Sequence, residues 1–163
     1  MSIHSSFRSW VFLPIALFLL VTGSLVFVVE KLIEKRSLPP FGILLALALF
    51  IFTWIWVLFG ELRTKVIKVY IEDEELIVSN YWGLGAKRVY NISQLYGYET
   101  ALLRSRYDTY EYLYLIKNGK KVVKLSQFYH SNYGLMKQTL SGKIRNLGQK
   151  RFSYIQEIKE IFI

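Results

Sequence analysis

His4 and His130 are the chain's two imidazoles, and there is no cysteine among its 163 residues. The histidines stand too far apart for a metal-ligand motif, and no thiolate is present to complete a zinc set. His130, followed by Ser131, reads as a helix-entry residue and not as a base, because no second catalytic group lies near it in sequence. Asp108 and Glu111 are close enough to share a site, but they sit in or beside the polar stretch Arg104–Asp108, an exposed loop where a carboxylate pair is ordinarily solvated. Gly83 and Gly85 resemble a phosphate loop only superficially: the motif's lysine is missing, and they join strands instead of opening a helix. The expectation is a chain with no catalytic residue, no metal and no cofactor, and so not an enzyme.

Cations are the more informative group. Net charge is +9, and 17 of the 21 Lys and Arg follow Gly60. Lys117, Lys120 and Lys124 are expected on one face of a hairpin that turns at Asn118-Gly119, with Lys87 and Arg88 on a neighbouring strand. Against an anionic leaflet each contributes about 1 kcal/mol; in water the same face is a solubilising one. Nucleic acid suits these charges poorly, because the 12 tyrosines form no recognisable stacking motif.

Two uncharged apolar runs must position all of this. WVFLPIALFLLVTGSLVFVV (Trp10–Val29) and FGILLALALFIFTWIWVLFG (Phe41–Gly60) are each 20 residues, enough at about 1.5 Å per residue to cross a hydrocarbon core of about 30 Å. The charged connection Glu30–Pro40 forces an antiparallel pair. The first run is too long for a signal peptide's apolar core and lacks its cleavage site. A chain of this length also has no body that encloses two such runs. Gly23 and Ala46 are expected at matched depth, with Gly42 and Ala46 as a small-xxx-small pair that lets the backbones close. No ionisable residue lies within either run, which argues for an anchor over a transporter. The domains are therefore a hairpin over 1–62 (helices near 10–29 and 41–60), a soluble domain over 63–148 and a helical extension over 149–163.

From Thr64 the pattern alternates. Six strand candidates follow one another, in TKVIKVYIE, ELIVSNYW, AKRVYNIS, QLYGYETALL, TYEYLYLIK and KKVVKLS. Asn118-Gly119 accepts positive φ at both turn positions. A plain two-residue turn there places Tyr112, Tyr114 and Ile116 on one face with Val123 and Leu125, and Leu113, Leu115 and Val122 on the other. Both faces are apolar, so this strand pair needs a core on one side and a cover on the other. Tyr133, Met136, Leu140, Ile144 and Leu147 then recur at helical spacing, with Gly148 as the stop.

VYIEDEELIVSNYWGLGAKRVYNISQL (Val69–Leu95) and YEYLYLIKNGKKVVKLSQFYHSNYGLMKQTL (Tyr110–Leu140), behind a two-helix hairpin, resemble bacterial membrane proteins with a pleckstrin-homology-like domain. The resemblance implies an α+β domain in which a bent antiparallel half-barrel of six to seven strands is closed by a C-terminal amphipathic helix. It also implies a binding role, as an accessory or assembly subunit that docks protein partners; the alternative is a sensor of anionic lipid surface. Phosphoinositide recognition does not carry over, because the corresponding loop, Glu72-Asp73-Glu74-Glu75, would repel phosphate.

Phe152, Ile155, Ile158 and Phe162 form an apolar stripe on a terminal helix, with Glu157, Lys159 and Glu160 expected to face water. A bare stripe is an aggregation liability, so a cover is required: a partner, the domain's own sheet, or the foot of the hairpin. Arg8, the amino terminus, Arg63, Lys65 and Lys68 outnumber the loop cations Lys31, Lys35 and Arg36, so both termini and the domain are expected in the cytoplasm, at a bacterial inner membrane.

Overall fold

The computed structural model describes residues 2–35, 40–104 and 108–161. Strand β1 (Ser2–His4) comes first, then a 3-10 turn (Ser9–Val11) and helix α1 (Phe12–Lys35). Helix α2 (Phe41–Ile55) continues into a π-helical segment, Trp56–Leu62. The strands β2 (Lys68–Glu72), β3 (Glu75–Ser79), β4 (Lys87–Asn91), β5 (Gly97–Arg104), β6 (Thr109–Lys117) and β7 (Lys120–Ser126) follow. Helix α3 (Tyr133–Ser141), strand β8 (Asn146–Arg151) and helix α4 (Tyr154–Ile161) end the chain.

Ser9–Glu34 and Phe41–Leu62 are both long and apolar enough to cross a membrane. They leave Leu19, Leu20, Phe27, Leu49 and Phe52 largely exposed, as side chains solvated by lipid would be. The helices meet where Trp54 Nε1 donates to Thr22 Oγ1 at 3.1 Å and the Phe18 and Trp54 rings lie 5.6 Å apart. Gly23 is not at this seam: it is exposed, and a methyl group there would meet nothing within 4 Å. Its expected match with Ala46 fails because α1 runs on through Glu30–Lys35, which moves every depth match by more than a turn. Gly42 and Ala46 instead line a groove of about 280 Å³ near the connection, opposite Phe27, Val28 and Leu32.

The soluble part holds two four-stranded sheets, ordered β1-β2-β3-β4 and β7-β6-β5-β8. All neighbours are antiparallel except β5 and β8, which run parallel. The six strands expected from the pattern are present, and two unforeseen ones complete the sheets. Strand β1 precedes the hairpin in sequence yet pairs with β2 beyond it, Ile3 opposite Ile71. Strand β8 occupies residues expected to extend a helix; α3 stops at Ser141, and Leu147 belongs to the strand. Gly97 makes the β5–β8 approach feasible, since a Cβ there would stand 2.5 Å from the Arg145 carbonyl oxygen and 2.8 Å from Leu147 Cγ.

Asn118 and Gly119 adopt φ of 52° and 71°, the turn expected of them. The register beyond it differs, because a bulge between Leu115 and Ile116 pairs Leu115 with Val123 and Leu113 with Leu125. One extra residue exchanges the faces of a strand. Leu113, Leu115, Val123 and Leu125 therefore share the main core with Val69, Ile71 and Leu76 of the other sheet and with Tyr133, Met136 and Leu140 of α3. Tyr112, Tyr114 and Ile116 form a second cluster on the opposite face with Ala101, against which Leu103, Leu147 and Phe152 pack.

Candidate functional site

At the end of the π-helical segment, Glu61 stands four residues before Lys65, a spacing that favours a Glu–Lys pair. Lys65 Nζ lies 2.6 Å from Glu61 Oε1 and 3.1 Å from Glu157 Oε2 of α4. Glu157 also pairs with Lys124 of β7, and the Tyr114 hydroxyl donates to it at 3.3 Å. Tyr129 donates to Glu61 Oε2 at 2.8 Å. Lys124 Nζ stands 4.7 Å from the centre of the Tyr112 ring, and the Phe152 ring stacks on the same tyrosine at 5.7 Å. Two ammonium groups, two carboxylates and three tyrosines thus tie the end of the hairpin, the outer face of the second sheet and the terminal helix together.

The charges are strongly coupled. Burial alone would lower the Lys65 pKa, but the Glu61 carboxylate, with Tyr112 and Glu157, holds its ammonium above the ordinary lysine range. For Glu157 burial acts upward, and Lys124 and Lys65 reverse it, so the carboxyl stays below its ordinary value. Burial pushes the Tyr112 phenol up to about 12. The Tyr129 phenol is raised by burial and then by Glu61, the acceptor of its proton.

A second joint lies beside the first. The chain Ser5–Arg8 is zipped to the domain: Ser5 N donates to Val69 O at 2.8 Å, Asn132 Nδ2 donates to His4 O at 2.7 Å, and Arg8 N donates to Tyr129 O at 2.8 Å. His130 is fully buried under this segment, its ring nitrogens 2.9 Å from the carbonyl oxygens of Ser126 and Ile67. Burial pushes its pKa down against the pull of those two carbonyls. Val11, Val57, Leu62, Val66 and Tyr129 form an apolar cluster at the same place, joining both long apolar helices to the domain.

The five residues expected to form a basic face are not brought together. Lys124 is buried with Glu157, since the bulge sets it opposite Tyr114 on the face that α4 covers. Lys87 pairs with Ser79, which pairs with Lys68, so Lys87 and Arg88 lie at the end of their sheet nearest the hairpin. Lys117 and Lys120 flank the turn at the far end of β6 and β7, where Lys117 Nζ donates to Gln94 at 2.8 Å. The terminal stripe is divided as well. Phe152 is half-buried against Tyr112, while Ile155 and Ile158 face outward, 68% and 45% exposed, and Phe162 lies outside the described residues. Glu157, expected to face water, is the residue turned inward. An open cleft of about 330 Å³ between α4 and strands β5 to β8 is lined by Glu99, Tyr114, Lys121, Lys150 and Arg151, both signs of charge together.

The i,i+4 pair at Glu61 and Lys65 was the one sequence signal of the buried cluster; its partners on β7 and α4 come from 59 and 92 residues further along. Among the described residues no group of three His, Cys, Asp or Glu is placed to hold a metal ion. No protein-family model matches the chain, and neither a curated protein nor a solved structure matches it.

Proposed function

We propose that the chain is a non-enzymatic, membrane-anchored interaction module, an accessory or assembly subunit that docks a protein partner through a pleckstrin-homology-like domain. The observation that carries this reading is the inverted terminal helix. A free surface helix turns its apolar side in and its carboxylates out, whereas α4 buries Glu157 and presents Ile155 and Ile158. The ion pairs with Lys65 and Lys124 hold the helix in that attitude, so the outward isoleucines stay available to a partner. The two sheets, with α3 packed into the core between them, support the likeness of fold. Because β1 pairs with β2, the amino terminus and the domain share one side of the membrane that the helices would span; the charge bias makes that side the cytoplasm.

Photo-crosslinking amino acids at Ile155 and Ile158, with Lys120 as a remote control, test the reading in native membranes. One discrete protein adduct at both isoleucines and none at Lys120 is the expected result. Lipid adducts alone at these positions would overturn it and favour the second reading, a sensor of anionic lipid surface. Lys87 and Arg88, exposed at the end of the sheet nearest the hairpin, are the observation behind that alternative.

A further inference from the structure

The β3–β4 connection is built to point apolar side chains at something. Tyr81, Trp82 and Gly83 all have positive φ, at 53°, 58° and 96°. Two consecutive non-glycine residues in that region are strained. The conformation is held by Trp82 N donating to Val66 O at 2.7 Å and Gly85 N donating to Asn80 O at 3.0 Å, with the Lys68 side chain lying along Gly83. This strained but well-bonded turn packs Tyr81 against the apolar cluster at the foot of the hairpin and sends the next residues outward. Trp82 is 43% exposed and Leu84 is 89% exposed.

The neighbour of this loop identifies what covers it. The Trp82 ring stands edge-on to Phe12, with centroids 5.8 Å apart. Phe12 opens α1, three residues into the span that begins at Ser9. A side chain touching the first turn of a spanning helix from outside lies at the level of the headgroups, where tryptophan partitions best. Lys87 and Arg88 follow directly, and no carboxylate occurs between Glu75 and Glu99. Apolar residues followed by cations, in a stretch of sequence without a carboxylate, match the chemistry of a bilayer interface.

We propose that the Tyr81–Leu84 loop is seated in the lipid interface of the leaflet that α1 enters, with Trp82 and Leu84 among the upper acyl chains and Lys87 and Arg88 at the phosphates. The loop is then a third membrane attachment, beside the two helices, and it fixes how the domain tilts over the bilayer. The inference rests on the reading of both helices as membrane spans.

The absence of native cysteine allows a direct test on the full chain. Single cysteines at Leu84, at Glu74 in the turn at the other end of β3, and at Leu19 within α1 are labelled with a polarity-sensitive fluorophore. The protein is placed in nanodiscs of phosphatidylcholine and phosphatidylglycerol, one chain per disc, with and without nitroxide-bearing lipid. At Leu84 the expected result is blue-shifted emission that shallow nitroxide quenches, at Leu19 blue-shifted emission, and at Glu74 water-like emission without quenching. Water-like emission at Leu84 with Leu19 still in lipid would overturn the inference alone. Water-like emission at Leu19 would overturn the membrane reading beneath it.

Discussion

The two faces of the β7-β6-β5-β8 sheet are both buried, but by opposite means. The inner face meets aliphatic side chains, with Leu113, Leu115 and Leu125 wholly inaccessible. The outer face is closed by tyrosines, two lysines and a glutamate belonging to a helix at the very end of the chain. Aliphatic burial is non-directional and favours the folded state wherever it occurs. A buried ion cluster is different: desolvating its members offsets most of their attraction, so it adds little net stability but admits few arrangements. On this comparison the inner face makes the domain fold, and the outer face determines where α4 sits relative to the end of the helical hairpin.

The largest effect belongs to the inner face. Leu113→Ala should cost about 2–5 kcal/mol and lower the melting temperature of the whole domain, as read by near-UV circular dichroism in detergent. A melting point unchanged by Leu113→Ala would erase the contrast between the faces.

Glu157→Ala removes the carboxylate that Lys65 and Lys124 share, a loss of about 3–5 kcal/mol where the cluster cannot relax. A terminal helix can relax by peeling away, so the cost is capped by local opening. The global melting point should move less than for Leu113→Ala, while protease cleavage near Phe152 should accelerate by about tenfold for each 1.4 kcal/mol lost. Glu157→Leu together with Lys124→Met, an apolar replacement of the pair, should restore protection. Cleavage unchanged in Glu157→Ala would show that α4 is held by something other than the ion pairs.

Acid should separate the two joints. The folded pKa of His130 lies below its ordinary 6.5, so the contribution of the neutral ring is whole above that pH and declines as the pH falls beneath it. The folded pKa of Glu157 lies below its ordinary 4.5; its contribution is whole above 4.5 and is lost only as the pH falls through the lowered folded value. Protection of the Ser5–Arg8 segment in hydrogen exchange should therefore weaken before that of α4. Release of α4 above pH 4.5 would refute this order.

The smallest contrast is between Tyr129→Phe and Lys120→Ala. Removing the hydroxyl that Glu61 accepts should cost about 1.5–3 kcal/mol, as for hydrogen bonds to charged groups. Lys120, exposed at the far turn, should stay within about 0.5 kcal/mol. Equal melting points for the two variants would place the foot of the hairpin outside the cooperative unit.

The two long apolar helices, the six central strands and the Asn118-Gly119 turn were legible in the sequence because each depends on near neighbours. Run length, a period of two and a pair of residues tolerant of positive φ need no knowledge of the rest of the chain. What lay beyond them depended on contacts that cross the chain. Ser2–His4 is too short to signal a strand and becomes one only against Glu72–Tyr70, on the other side of the hairpin. Asn146–Arg151 carried part of a helical stripe, yet parallel pairing with β5 beside Gly97 prevailed over that local tendency. A single bulge then decided which face Lys124 occupies, and with it that the lysine closes a buried cluster instead of joining a surface patch. Local propensity determined the two apolar helices and the six central strands. Their long-range pairing, which sets register and burial, decided which charges meet and which apolar residues remain outside.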